Sequence, residues 1–220
     1  MFDGASNFVT SVDNTFLMVL GISVFFLVLI TGLMIYFVFK YSRKKNPVAT
    51  NIEGNVALEI TWTVIPTILV LVMFWYGWIG YKEMATIPED AMKIDVTAQM
   101  WKWTFKYSTG LETDTLYVPA NKPIEVILHS RDVNHAFFVS AFRVKKDVLP
   151  GRTNKAWFEA AEGSYDLSCA EYCGLNHSKM YTRVVALPEA EFNKWLEVKT
   201  KSSSKDSTES GKDTTAVSKD

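Results

Sequence analysis

Cys169-Ala-Glu-Tyr-Cys173-Gly-Leu-Asn-His177-Ser-Lys-Met180 contains both cysteines of the chain, one of its three histidines and a methionine. Thiolate, imidazole and thioether together form a soft set of ligands, which suits copper better than a hard cation. One imidazole is not enough to close such a site, and His135 is a second candidate upstream. The residue types therefore predict a copper site that joins two distant parts of the chain.

Three other interpretations fit part of the same pattern. A disulfide between Cys169 and Cys173 would suit an oxidising compartment, but it leaves His177 and Met180 unexplained. A structural zinc site would use two cysteines and two histidines, but it has no need of Met180. An amphipathic helix would match the spacing of the four residues, although Gly174 interrupts it. Copper is the favoured interpretation, and zinc, a disulfide and plain packing remain open.

Two long uncharged runs precede this segment, Phe16–Phe39 and Ile60–Tyr81. The first run would form a helix of about 36 Å, which is enough to cross a hydrocarbon core of about 30 Å and too long for the apolar part of a signal peptide. Residues 1–15 contain Asp3 and Asp13 but no Lys or Arg, unlike the basic start of a signal peptide. The two runs therefore predict a transmembrane helical hairpin.

Basic and aromatic residues orient this hairpin. The first run is followed at once by a basic cluster: Lys40, Arg43, Lys44 and Lys45. Such clusters stay on the cytoplasmic side of a membrane. Aromatic residues crowd the ends of the second run, as in interfacial belts: Trp62, Trp75, Tyr76, Trp78 and Tyr81. The N-terminus and everything after residue 82 are therefore predicted to lie outside, in the periplasm, the intermembrane space or the cell exterior.

From Lys93 onwards the sequence favours β-structure. Short runs rich in β-branched and aromatic residues are separated by turn formers such as Pro150-Gly151. The predicted strands are 93–99, 101–107, 115–119, 124–129, 135–139, 155–160, 164–168 and 181–187. Many short strands at such intervals predict a β-sandwich or barrel. The cysteine segment lies between the last two strands, and His135 begins an earlier one.

Composition limits the remaining possibilities. After Glu197 the chain has almost no apolar residues, so burial cannot offset the entropy of ordering and a disordered tail is expected. The formal net charge of −1 gives no sign of a nucleic-acid partner. A Cys-x-x-Cys-His motif is absent from the sequence, so no covalently attached haem is expected.

The cysteine segment resembles the dinuclear copper (CuA) motif of the cytochrome c oxidase subunit 2 family, C-x-E-x-C-G-x-x-H-x-x-M, at every fixed position. The segments 132–135 and 142–152 also resemble that family, and the similarity extends over roughly residues 15–198. The resemblance implies a membrane-anchored all-β protein, in which a two-helix transmembrane hairpin is followed by a cupredoxin-like Greek-key β-barrel.

The resemblance also implies a set of metal ligands: His135, Cys169, Glu171, Cys173, His177 and Met180. The two cysteines would each bridge both copper ions. His135 and Met180 would complete one copper, and His177 with the backbone carbonyl of Glu171 would complete the other. The side chain of Glu171 would bind a magnesium ion shared with subunit 1, because a carboxylate suits that hard cation. Asp132 is close enough in sequence to help orient the His135 imidazole.

Two further residues match functional positions of the family. Glu59 begins a pattern that resembles Glu-x-x-Trp-Thr, whose glutamate lies at the mouth of a proton channel of the partner subunit; without the family it is an acid in the first turn of a helix. Trp101 matches the exposed tryptophan through which cytochrome c delivers its electron. The sequence departs here from the family's Gln-Trp-Tyr-Trp, since Lys102 follows Trp101 and Lys106 lies close by. These lysines would favour a less basic donor.

The resemblance implies the electron-entry subunit of a cytochrome c oxidase, which passes electrons from cytochrome c to the haem centres of subunit 1, where oxygen is reduced to water with proton pumping. The implied partners are subunit 1, subunit 3, cytochrome c or a similar haem donor, and membrane lipid. A membrane-tethered copper-binding module and the CuA subunit of a nitrogen-oxide reductase are the alternatives. The hydrophilic tail and the lack of a presequence favour a bacterial cytoplasmic membrane over a mitochondrial inner membrane.

These inferences give a predicted order of parts along the chain. An outer-side N-terminal segment (1–15) leads into transmembrane helix 1 (16–39), a cytoplasmic basic loop (40–58) and transmembrane helix 2 (59–81). A cupredoxin-like CuA domain (82–198) and a disordered polar tail (199–220) follow.

Overall fold

The computed structural model describes residues 4–48, 50–51 and 53–209, with side chains up to residue 203. These residues form two compact units. One unit contains residues 11–83 and is helical, and the other combines residues 4–10 with the chain from residue 84 onwards.

Two long helices make up the first unit. Helix α1 spans Val9–Lys40 and helix α2 spans Val56–Ala85, so both extend beyond the predicted runs. The side-chain oxygen of Asn55 accepts a hydrogen bond of 3.1 Å from the Leu58 N–H, which caps the start of α2. Each helix has the length and hydropathy to cross a membrane, and neither buries its apolar stretch within the structure. The predicted pair of membrane helices is therefore confirmed as helical structure.

The second unit is a β-sandwich of ten strands. They are β1 (Met92–Gln99), β2 (Lys102–Lys106), β3 (Glu112–Thr113), β4 (Leu116–Pro119), β5 (Pro123–Ser130), β6 (His135–Val139), β7 (Val144–Val148), β8 (Asn154–Glu159), β9 (Gly163–Cys169) and β10 (Tyr181–Leu187). One sheet has the order β3-β2-β1-β5-β8 and the other the order β4-β10-β9-β6-β7. Each sheet contains one parallel pair, β1 with β5 and β10 with β4. The predicted β-sandwich fold is confirmed.

The core follows from the alternation of side chains along the strands. In β1, the side chains of Ile94, Val96 and Ala98 are fully buried, while Lys93 and Asp95 are exposed. In the neighbouring strand β5, Val126 lies beside Ile94 and is also fully buried. Because successive residues of a strand point to opposite faces, this pattern buries one face of each sheet.

Two strands escaped prediction because their sequences lack an apolar run. Strand β3 has only two residues, and β7 carries Lys145, Lys146 and Asp147 between two buried valines. Strand β7 is the outer strand of its sheet, where exposed lysines are common because they discourage pairing with other chains.

A third helix corrects the prediction of a disordered tail. Helix α3 spans Glu189–Glu209, so residues 199–209 are helical, and residues 210–220 lie outside the described part of the chain. The aromatic rings of α3 explain its docking. The Trp195 ring stacks on the Tyr117 ring at 4.2 Å between centroids and meets the Tyr107 ring edge-on at 5.5 Å. Phe192 is buried beside them, so apolar contacts at the start of α3 anchor a helix that continues into polar sequence.

The N-terminal segment also belongs to the sandwich unit. Ser6 forms a β-bridge with Ala160, and the Asn7 side chain accepts a hydrogen bond of 3.0 Å from the Glu159 N–H. Phe8 is fully buried against Trp157, with ring centroids 4.9 Å apart. Residues 6–8 of the predicted outer-side segment are thus part of the β-domain, which the sequence did not indicate.

Candidate metal centre

Strand ends bring the predicted ligands together at one end of the sandwich. His135 is the first residue of β6 and Cys169 is the last residue of β9. The two strands are paired, with Phe137 opposite Cys169. Cys173 lies in the loop after β9, followed by a single 3-10 turn, His177–Lys179. Met180 directly precedes β10, which is paired with β9 and returns the loop to the same edge.

The donor atoms of these residues lie close to one another. The sulfur atoms of Cys169 and Cys173 are 3.8 Å apart. The Nδ1 atom of His135 is 3.8 Å from the Cys169 sulfur, and the Nδ1 atom of His177 is 3.5 Å from the Cys173 sulfur. The Met180 sulfur lies 3.7 Å from the Cys173 sulfur. The predicted set of two thiols, two imidazoles and one thioether is therefore a single cluster.

A backbone oxygen joins this cluster as well. The carbonyl oxygen of Glu171 is 3.2 Å from the Cys169 sulfur. This is the carbonyl that the family resemblance assigns to the site. Since the loop places Glu171 between the two cysteines, its carbonyl can turn inward while its side chain points elsewhere.

The cluster is almost completely buried. His135 is fully buried, and both cysteines and Met180 are at least nine-tenths buried. Burial, with a smaller contribution from the neighbouring Cys169 thiol, raises the pKa of Cys173 to about 11. A thiolate is the form that binds metal, so a bound cation must supply the charge that stabilises it.

Asp132 orients the His135 ring. Its Oδ1 atom lies 2.8 Å from His135 Nε2, so the carboxylate accepts a hydrogen bond from Nε2–H and leaves the lone pair of Nδ1 facing Cys169. The same carboxylate accepts hydrogen bonds of 2.7 Å from the N–H groups of Met100 and Val133. Burial alone would raise the pKa of Asp132, but these hydrogen bonds outweigh it and lower that pKa. The expected role of Asp132 in fixing the imidazole agrees with this geometry.

The structure argues against two of the alternative interpretations. Both cysteines are free, and their sulfur separation of 3.8 Å is far longer than the about 2.05 Å of a disulfide. Residues 169–180 contain one 3-10 turn and no α-helix. Gly174 has a φ of 116°, a conformation that an L-residue rarely adopts, and this explains why a helix cannot continue there.

The side chain of Glu171 has a different neighbour from the one predicted. Its carboxylate lies 2.8 Å from the Nζ atom of Lys145 on β7. Among the described residues, the cluster with metal-binding spacing consists of His135, Cys169 and Cys173, and the Glu171 carboxylate is not in it. This carboxylate, paired with an ammonium group, does not by itself fit a magnesium site. Lys145 was not predicted as a residue of the site, although it lies in the segment 142–152 that resembles the family.

Trp101 touches the ligand loop directly. Its indole N–H donates a hydrogen bond of 3.3 Å to the carbonyl oxygen of Cys173. The Gly174 backbone lies close to the indole: a Cβ placed on that glycine would be 3.4 Å from the ring. The side chain of Trp101 remains partly exposed, so it connects the surface with a residue of the cluster.

Glu59 lies in the helical unit, at the start of α2. It is exposed in the first turn of α2, and its backbone N–H bonds to the Asn55 carbonyl oxygen at 2.9 Å. An acid at this position interacts favourably with the helix dipole. This local role is what the described contacts support.

The donor set fits copper. Two cysteine sulfurs 3.8 Å apart can both lie about 2.3 Å from one metal ion, the usual length of a metal–thiolate bond. The thioether of Met180 suits a soft metal and has no role in a usual zinc site. Calcium or magnesium would need several oxygen ligands, and the cluster offers one, the carbonyl of Glu171.

Fold and site together define a class of protein: a β-sandwich with a soft, sulfur-rich set of candidate metal ligands, in a chain that also has two apolar helices long enough to span a membrane. Family models agree with both parts. The model of the cytochrome c oxidase subunit II periplasmic domain matches residues 67–187, and that of its transmembrane domain matches residues 1–77. The chain belongs to the cytochrome c oxidase subunit 2 family and is a two-pass membrane protein.

Individual relatives support this assignment. Cytochrome c oxidase subunit 2 of Alkalihalophilus pseudofirmus is 36% identical over 193 residues, which cover 82% of this chain and 56% of that protein. The subunit 2 of Cereibacter sphaeroides is 29% identical over 211 residues, covering 77% of this chain and 70% of that protein. The crystal structure of the periplasmic domain of subunit II (CoxB) of Bradyrhizobium japonicum matches with a TM-score of 0.51 and 32% identity, covering 53% of this chain and 99% of that domain. The chain thus spans little more than half of the A. pseudofirmus relative.

Proposed function

We propose that this chain is the electron-entry subunit of a cytochrome c oxidase. The observation that carries the proposal is the buried cluster of two cysteine sulfurs with the imidazoles of His135 and His177 and the sulfur of Met180, all linked by distances of 3.5–3.8 Å. Such a donor set favours copper, and membership of the subunit 2 family supports an electron-transfer role for it.

In this proposal His135 and five residues of the cysteine segment would hold two copper ions. As the family resemblance implies, Cys169 and Cys173 would be shared by the two ions, His135 and Met180 would complete one site, and His177 with the Glu171 carbonyl would complete the other. A copper pair that shares two thiolates supplies a centre that changes oxidation state with little rearrangement of its surroundings. The near-complete burial of both cysteines supports this role, since it keeps water from the ligands.

The other residues of the site hold the ligands and connect them to the surface. Asp132 fixes His135 Nδ1 toward the cysteines by accepting a hydrogen bond from Nε2–H. The hydrogen bond from the Trp101 indole to the Cys173 carbonyl supports Trp101 as the point of electron entry. The partly exposed face of that indole is available to a donor protein.

The rest of the reaction belongs to partner subunits. Electrons pass to the haem centres of subunit 1, where oxygen is reduced to water with proton pumping, and subunit 3 completes the core of the complex. Glu59 stands at the mouth of a proton channel of subunit 1. A magnesium ion at Glu171 requires that subunit 1 supply further ligands and that Lys145 move away from the carboxylate. The sandwich lies on the periplasmic side of a bacterial cytoplasmic membrane, as the basic residues after α1 support.

Rapid mixing of the copper-loaded full chain in detergent with a reduced c-type cytochrome tests the proposal. We expect the copper absorbance to report electron uptake, and Trp101→Phe to slow it by about tenfold, a change of about 1.4 kcal/mol in the barrier. Trp195→Phe, the same substitution on α3, is the control and should leave the rate unchanged. Copper that binds but accepts no electron from any cytochrome would leave a tethered copper-binding module as the better description.

A further inference from the structure

An apolar patch surrounds Trp101 at the surface. We define it as Met100, Val133, Tyr172 and Leu175, whose exposed fractions are 43%, 37%, 80% and 87%. Met100 and Val133 are held together because both of their N–H groups bond to the Asp132 carboxylate. Leu175 follows Gly174, which packs on the Trp101 ring and lies near the Met100 sulfur.

Large apolar side chains that are exposed as a group indicate an interaction site, whereas scattered ones do not. The patch lies beside a buried redox-type cluster, and its central indole bonds to a residue of that cluster. An apolar centre of this kind is typical of protein–protein interfaces, whose rim carries the charged groups. The sign of the charge on the rim therefore indicates which charge the partner must carry around its own contact surface.

The rim is basic. Lys102 follows Trp101, Arg131 precedes Asp132, and Lys179 lies in the 3-10 turn of the ligand loop; all three are exposed. Within the part of the chain that the structure describes, none of the three forms an ion pair.

The acids of the same end are already engaged. The Asp132 carboxylate is bound to His135 and to two backbone N–H groups. Glu171 pairs with Lys145 at 2.8 Å, and Glu112 pairs with Lys106 at 3.9 Å. Two exposed acids remain near this end, Asp114 and Asp147, of which Asp147 lies opposite Ala136 beside the ligand His135. Against the three cations they leave the rim with a positive balance of one charge.

We propose that the electron donor of this subunit docks on the apolar patch through a face that is apolar at its centre and acidic at its rim. This inference rests on the proposed electron-entry function and specifies the partner of the same site. Opposite charges around an interface accelerate encounter and reject partners with the wrong sign. A strongly basic cytochrome c, toward which the family resemblance points, would meet like charge here.

Two forms of one probe test the charge of the partner. A basic cytochrome c and the same cytochrome with its surface lysines succinylated carry the same haem but have surfaces of opposite charge. Each reduced form is mixed with the copper-loaded full chain, and copper reduction is followed over a range of salt concentrations. We expect the succinylated form to react about tenfold faster at low salt, and this advantage to shrink as salt screens the charges.

Charge reversal provides the matched variants. Lys102→Glu with Lys179→Glu should remove or invert the preference for the succinylated form. Lys93→Glu, on the exposed face at the opposite end of β1, should leave the preference unchanged. A faster reaction of unmodified basic cytochrome c with the wild-type chain would overturn the proposal.

A small reductant distinguishes a failure of the acidic-partner inference from a failure of the proposed electron-entry function. Dithionite should reduce the copper of the wild-type chain and of each variant, whatever their surface charge. If dithionite does reduce the copper but the two cytochrome forms react equally fast, the acidic-partner inference is wrong and the electron-entry function stands. If dithionite produces no change in the copper spectrum, the proposed function itself is wrong and the inference with it.

Discussion

The metal loop and the docking site of helix α3 lie in the same β-domain but are built in different ways. In the loop, five of the six predicted ligands fall within residues 169–180, and His135 is the one that lies far away in sequence. At α3, three aromatic rings meet from three separate parts of the chain, Tyr107, Tyr117 and Trp195. The first region depends on the chemistry of particular atoms, whereas the second depends on buried area. Changes to the two regions should therefore separate metal binding from stability.

The largest effect is expected from Cys173→Ser. This change removes the sulfur that lies within 3.8 Å of Cys169, His177 and Met180 together. We expect the two-copper centre to be lost, because a serine hydroxyl is a hard and weakly acidic ligand. Metal analysis of the purified full chain measures this, and Ser178→Ala in the same loop is the control. Retention of two copper ions by Cys173→Ser would show that this sulfur is not a bridge.

Trp195→Ala should lower the stability of the β-domain and leave copper binding intact. It removes the half-buried ring that stacks on Tyr117, so the free energy of unfolding of the β-domain should fall by about 2 kcal/mol, less than the roughly 3–5 kcal/mol lost when a core tryptophan is truncated to alanine. The copper content should not change, since the metal loop lies elsewhere. Thermal unfolding followed by near-ultraviolet circular dichroism gives the stability, and Val198→Ala, at a 57% exposed position of α3, is the control. A loss of copper together with stability would mean that the regions are coupled.

Tyr107 makes the α3 docking site sensitive to alkaline pH. Burial raises the pKa of Tyr107 to about 12 from its usual 10.0. The folded state therefore holds this proton more tightly than the unfolded state, and the stabilisation is complete below pH 10 and is lost as pH rises toward 12. The loss is roughly 2–3 kcal/mol. Unfolding curves between pH 9 and pH 12 should fall more steeply for the wild type than for Tyr107→Phe, and parallel curves would refute this.

The smallest effect is expected from Lys145→Met. The substitution breaks the pair between Lys145 and Glu171, which ties the metal loop to strand β7. Both side chains are more than one-third exposed, so solvent screening keeps the contribution small, and the rate of copper release should rise by less than about fivefold. Lys146→Met, on the opposite face of the same strand, should leave the rate unchanged, and Lys145→Arg should restore it. Equal effects of the two methionine variants would remove any special role of Lys145.

How well each region could be predicted follows from the same contrast. The ligands were readable because metal chemistry restricts residue types and because their spacing in one loop survives as proximity in space. The long apolar helices were readable because a membrane demands length and uniform hydropathy. Strand β7 was missed because an edge strand with Lys145, Lys146 and Asp147 lacks an apolar pattern.

Tertiary contacts explain the other differences. Helix α3 was taken for disordered chain beyond residue 198, yet Phe192 and Trp195 anchor its first turns and the helix continues to Glu209. The partner of the Glu171 carboxylate was unpredictable, since Lys145 is 26 residues away in sequence and approaches only when β7 pairs with β6. The contact between Phe8 and Trp157 was likewise unpredictable, because the two residues are far apart in sequence.

Electron paramagnetic resonance of the copper-loaded full chain, combined with metal analysis, tests the central claim most directly. The protein is purified in detergent, loaded with copper and measured without removing the helices, because residues 4–10 form part of the sandwich unit. Two copper ions per chain, with one unpaired electron shared between both nuclei, is the result we predict for a cluster bridged by Cys169 and Cys173. One copper or zinc ion per chain, without a shared-electron signal, would contradict the electron-entry function.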